Sequence, residues 1–77
     1  MKESSQPLTS ILGKYRHYKG NEYEVLGVGK HTETEEKMVI YKALYPPFET
    51  WLRPYEMFFG TIELDGKNIA RFEKISD

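Results

Sequence analysis

Trp51 and Arg53 stand one residue apart in the run Thr50-Trp51-Leu52-Arg53-Pro54. A flat indole beside a guanidinium suits capture of planar and anionic groups. The ring stacks, and the guanidinium forks onto a phosphate or carboxylate through parallel N–H···O bonds. Tyr15, His17, Tyr18, Tyr41, Tyr45 and Arg71 are of the same kind, with a flat face and a polar tip. From these, Trp51, Arg53, Tyr41, His17, Tyr18 and Arg71 form the candidate ligand-binding set. The ordinary alternative for each is structural: a small barrel uses aromatic rings as core, and tyrosine hydroxyls find partners at its rim. Trp51 and Arg53 are the pair least explained that way. On an extended strand they share one face, and Leu52, the better core residue, takes the other.

Other chemistries have weaker signatures. His17 and His31, with Glu33 or Glu35 nearby, could hold zinc or iron, but two histidines without cysteine make a sparse ligand set. An enzyme would use His17 for proton transfer and Arg53 to stabilise developing negative charge. No Ser or Cys sits in a recognisable nucleophile elbow, and no paired carboxylates lie in an apolar setting. No catalytic residue, metal or cofactor is therefore assigned. Gly27-Val28-Gly29 has a phosphate-loop reading, but it lacks a third glycine and a following helix; a bulge or bend within a strand is the plainer account. The acidic run Glu33 to Glu36 reads as a solvated hairpin tip, with docking of a basic partner as the sharper alternative.

These groups must be positioned by a small scaffold. Seventy-seven residues make one domain. A domain of this size buries only about 60% of its unfolded surface, and the absence of cysteine removes disulfide and thiolate staples. Four Phe, six Tyr and one Trp supply the compensating core. The net charge of −1, with acids and bases interspersed, argues against strong non-specific nucleic-acid binding but leaves room for a local basic patch. No apolar run reaches the ~20 residues of a membrane span. The polar start of the chain is no signal peptide, so a soluble, cytoplasmic protein is expected.

Turn signals recur every several residues. A flexible tail is expected over residues 1–12, with Ile11 and Leu12 able to pin its end, and the folded domain over 13–77. Lys14 to Tyr18 and Glu22 to His31 read as strands about the turn Lys19-Gly20-Asn21. Met38 to Tyr45 is the strongest strand, stopped by Pro46-Pro47. Thr50 to Arg53 is a short strand, and Pro54 to Phe59 is one helical turn begun by proline. Leu52, Met57 and Phe58 are expected to close the core. Thr61 to Leu64 and Asn68 to Ile75 form a last hairpin about Asp65-Gly66. The fold class is all-β, a strongly bent antiparallel SH3-like barrel of five to six strands with one short helical turn.

The segments Gly13-x-Tyr15-Arg16-His17-Tyr18-Lys19-Gly20-x-x-Tyr23-x-Val25, His31-x-Glu33-Thr34, Val39-x-Tyr41-x-x-Leu44-Tyr45, Trp51-x-Arg53-Pro54-x-x-Met57-Phe58 and Arg71-Phe72 together resemble domain-of-unknown-function family 1653. The resemblance runs from about Gly13 to Ile75. It implies a bacterial SH3-like barrel and no established activity. One departure is Thr32, where the family pattern has serine; the hydroxyl is retained.

The sequence thus points to a non-catalytic binding module for a planar or anionic ligand: a nucleotide, a nucleic-acid segment or a peptide. The alternatives are a small enzyme or accessory domain using His17 and Arg53, and a self-associating structural module. A monomer or weak homodimer without membrane contact is expected.

Overall fold

A computed structural model of the protein describes residues 11–76, leaving most of the expected tail outside the described residues. Seven strands and one helical turn follow in order: β1 (Gly13–His17), β2 (Glu22–Lys30), β3 (Lys37–Ala43), β4 (Thr50–Pro54), α1 (Tyr55–Phe58), β5 (Thr61–Leu64), β6 (Lys67–Ala70) and β7 (Phe72–Ser76). The all-β reading holds. The antiparallel main sheet has the order β4-β3-β2-β1-β7, and β5 and β6 pair separately. Among the described residues no helix is long and apolar enough to cross a membrane.

Local chemistry accounts for the connections. Gly20 turns β1 into β2 at φ +111°, with its N–H donating to the His17 carbonyl at 2.7 Å. The acidic run tops the β2–β3 hairpin, where the His31 N–H donates to the Glu36 carbonyl. The helical turn is shorter than the expected Pro54 to Phe59: Pro54 ends β4 opposite Met38 and is the N-cap of α1, which starts at Tyr55. Asp65 and Gly66 both take positive φ, the geometry of a tight hairpin turn.

The strand count exceeds the expected five to six because the last segment is interrupted. Arg71 separates β6 from β7, and β7 leaves the hairpin to pair with β1, His17 lying opposite Phe72. The Arg71 N–H donates to the Gly60 carbonyl at 3.1 Å, so the β5–β6 hairpin is tied across its base. Gly60 is required there: a Cβ would lie 2.8 Å from the Glu56 carbonyl oxygen.

The main sheet is tightly coiled. Flat strands sit about 4.8 Å apart, so β4 and β7, four spacings distant, would be roughly 19 Å apart in a flat sheet. Yet the Arg53 guanidinium carbon on β4 lies 5.7 Å from the Phe72 ring centre on β7. Tyr41 on β3 is 5.6 Å from the same ring. Register shifts at Val25/Gly27 and Lys14/Tyr15 mark bulges that increase twist. The glycines of β2 thus belong to a bent strand with no helix after it, not to a phosphate loop. Strand pairing does not close the ring among the described residues; side chains bridge the gap.

The concave face carries the core: Tyr15, Val25, Val39, Tyr41, Ala43 and Phe72, plugged by the fully buried Phe58 of α1. Phe58 stacks on Phe72 at 4.1 Å and meets Tyr15 and Tyr41 edge-on. Ile11 and Leu12 pack against this core, as anticipated. Two expectations fail. Leu52 is 62% exposed and Met57 is 49% exposed. Leu52 pairs with Ile40 and faces outward, whereas Trp51 pairs with Tyr41 and Arg53 with Val39, on the concave side. The two faces of β4 were separated correctly and assigned to the wrong sides.

Candidate functional site

Phe72 is the floor of a cup at one end of the concave face. The His17 ring meets it edge-on at 4.9 Å, Tyr23 and Tyr41 each at 5.6 Å, and the Arg53 guanidinium lies over it. His17, cross-strand from Phe72, and Arg53, on the far edge of the sheet, meet only because the sheet coils. Tyr18 follows His17 and tilts against it at 4.5 Å. The Tyr18 N–H donates to the Arg71 carbonyl at 3.0 Å, placing Arg71 beside the β1–β2 turn.

The cup's electrostatics are one-sided. Arg53 Nε donates to the Tyr41 hydroxyl at 3.2 Å, a contact that orients the guanidinium without neutralising it. Arg71 Nε is buried and has no hydrogen-bond partner among the described residues. No carboxylate pairs with either arginine among them; the ion pair they contain, Arg16 to Glu22 at 3.3 Å, is exposed. His17 reports the field. Burial first, then the positive charges of Arg53, Arg71 and Lys19, hold its pKa below 6.5. Opposite-charge neighbours would have moved it upward. Lys19 Nζ lies 5.9 Å from the Tyr18 ring.

Tyrosines form one wall. The Tyr23 and Tyr45 hydroxyls are 2.8 Å apart and share a hydrogen bond. Burial, then this bond, pushes the Tyr23 hydroxyl up to about 12. Beside the cup, an open groove of about 490 Å³ is lined by Arg16, His17, Tyr18, Ile69, Ala70 and Glu73.

Of the six residues singled out, His17, Tyr18, Tyr41, Arg53 and Arg71 converge on this end of the sheet. Trp51 lies on the same face, cross-strand from Tyr41, and is 46% exposed at the rim. Sequence reasoning overlooked Tyr23 and Phe72. Tyr23 was visible beside Val25 in the β2 segment, and Phe72 only as part of the Arg71-Phe72 segment of the resemblance, because its role depends on β7 leaving the hairpin.

The two histidines do not come together. His17 adjoins the start of β2 and His31 follows its end, nine residues of strand away. Each Nδ1 accepts backbone N–H: His17 from Lys19 at 3.2 Å, His31 from Glu33 at 3.0 Å. Among the described residues no group of three or more potential ligands could hold a metal ion. His17 and Arg53 do share the cup, but no carboxylate bonds to His17 to orient it as a base among the described residues.

No curated protein matches the chain. A solved structure from Bordetella bronchiseptica, described as a protein belonging to DUF1653, matches with 29% identity over 91% of this chain and 94% of that one, at a TM-score of 0.78. The model of the family described as protein of unknown function, DUF1653, matches residues 13–74. With most of its length inside that match, and its sheet shared with a solved relative, the chain belongs to the DUF1653 family.

Proposed function

We propose that this protein is a non-catalytic binding module that captures an anionic group beside a planar one in the cup of His17, Tyr18, Tyr41, Arg53 and Arg71, with Trp51 at the rim. The observation that carries the reading is the convergence of two arginines without a carboxylate partner among the described residues, one with a buried, unpartnered Nε. A folded protein ordinarily pairs its buried polar groups. Cations left unpaired on an aromatic floor are preorganised donors for an external anion, and their desolvation strengthens each charge-assisted bond.

The test is an amide and side-chain NMR titration with sodium phosphate and sodium sulfate at low ionic strength, against sodium chloride. Saturable shifts should centre on His17, Tyr18 and Arg71 and disappear in Arg53→Met and Arg71→Met proteins that remain folded. Shifts spread evenly over the surface, or unchanged by either substitution, would show that the cup is not an anion site.

A further inference from the structure

We infer that the ligand is a small phosphomonoester joined to a planar ring, of the nucleoside-monophosphate class, rather than a nucleic-acid strand or a carboxylate. The inference rests on the cup being an anion site and asks which anion fits its charge and surroundings.

On the sheet next to the cup, cations lie opposite carboxylates. On the outer face of the sheet Lys14 lies opposite Glu24, and Arg16 lies opposite both Glu22 and Glu73. Lys42 also lies opposite Glu24. A strand of nucleic acid needs cations spaced along a track, one for each phosphate neutralised. Here the first steps outward along β1 meet Glu22, Glu24 and Glu73, and Glu73 also lines the adjoining groove. Beside the cup the uncompensated charge is that of Arg53 and Arg71, with Lys19 at the rim, which is room for one anionic group; Lys30 and Lys37 lie opposite each other at the far end of β2.

The number of charges selects the kind of anion. A phosphomonoester carries about −1.5 to −2 at neutral pH and offers three acceptor oxygens. It can neutralise two guanidiniums at once and leave an oxygen for Lys19 or a backbone N–H. A carboxylate carries one charge and leaves one arginine uncompensated. A ring attached to the phosphate fits the adjoining groove, whose volume of about 490 Å³ lies in the range of small-molecule sites. Its lining includes Tyr18 and the apolar Ile69 and Ala70, together with Arg16, His17 and Glu73. Stacking on Tyr18 would place the phosphate toward His17 and the arginines.

The experiment is an NMR titration of the full chain at pH 7.5 with AMP, adenosine, phenyl phosphate, benzoate and the oligonucleotide dT20, following the His17 ring signals. AMP and phenyl phosphate should saturate and bind at least about tenfold tighter than adenosine and benzoate, respectively. A bound dianion should also raise the His17 pKa, reversing the effect of the arginines, which a nonspecific surface contact would not do. The exposed Lys19→Met should weaken AMP binding severalfold without disturbing the fold, so the outcome does not depend on the arginine variants staying folded. Equal affinity for benzoate and phenyl phosphate would overturn the choice of a phosphomonoester. Tighter binding of dT20 with a steep salt dependence would overturn the choice of a small ligand while leaving the anion cup intact. No response to any of these anions, inorganic phosphate included, would remove the cup itself.

Discussion

Replacing Arg71 should stabilise this protein, whereas replacing Arg53, an arginine in the same cup, should destabilise it. Arg71 Nε is buried without a partner among the described residues, and an unsatisfied buried donor costs about 1–3 kcal/mol. In Arg71→Met the unbranched stem is kept and the stranded donor is removed, together with its positive charge beside His17. A gain of about 1 kcal/mol follows, which for a domain of this length raises Tm by about 4–8 °C. Arg53→Met also removes a positive charge beside His17, but it breaks the 3.2 Å bond to the Tyr41 hydroxyl and the contact with Phe72. Those are worth about 0.5–1.5 and 0.5–2 kcal/mol, so the net effect is a loss of about 0.5–2 kcal/mol. Thermal and urea unfolding followed by circular dichroism, in chloride buffer free of phosphate and sulfate, measures both. Added phosphate should shrink or reverse the gain of Arg71→Met and widen the loss of Arg53→Met relative to wild type, because only the wild-type protein has both arginines to be stabilised by it. A loss above 1 kcal/mol in Arg71→Met under anion-free conditions would mean that its guanidinium is satisfied in solution, and the case for a poised anion site would lose its main support.

Phe58→Ala should be near the limit of what the fold survives: emptying a fully buried aromatic site costs about 3–5 kcal/mol, against a total of roughly 4–12 kcal/mol for a chain of this length. Unfolding by urea will show a large fall in midpoint, with Phe58→Leu much milder. Tyr23 should ionise near pH 12 in a 295 nm absorbance titration, and Tyr45→Phe should lower that value by removing the shared hydrogen bond, burial still holding it above 10. Because the folded value is raised, this stabilisation is complete below pH 10 and is lost as pH rises through about 12. His17 acts with the opposite sign: its lowered value means the contribution is present above pH 6.5 and is lost as pH falls through the folded value, and histidine NMR in Arg53→Met should show that value moving up. Gly66→Ala, at φ +78°, should cost about 1–2 kcal/mol by circular dichroism melting.

Much of the architecture could be read from local chemistry. The Asp65-Gly66 turn, the helical turn begun after Pro54 and the apolar β3 strand each depend on a few neighbouring residues, and each formed as expected. The faces of β4 could not be read, because alternation separates Trp51 and Arg53 from Leu52 without saying which side is concave. That choice is made by register with β3, where Ile40 and not Tyr41 lies opposite Leu52. The site shows the same division. Tyr18, His17 and Arg53 were recognisable by type, but their shared field comes from coiling that brings His17 and Arg53 to one ring, with Arg71 close enough to act on His17. Phe72 was hidden by the apparent continuity of the final strand, which breaks at Arg71.

The bond between Arg71 and Gly60 has an evolutionary and engineering consequence. Residues 61–70 leave and rejoin the body at a single closed neck, and the five strands of the main sheet pair without them. Their length and composition can therefore drift, or be exchanged for another loop, while the barrel-like body keeps its register. Ile69 and Ala70 also line the groove beside the cup. This hairpin is thus an interchangeable cassette: exchanging residues 61–70 would recast one part of the groove's lining while the five strands of the main sheet keep their pairing.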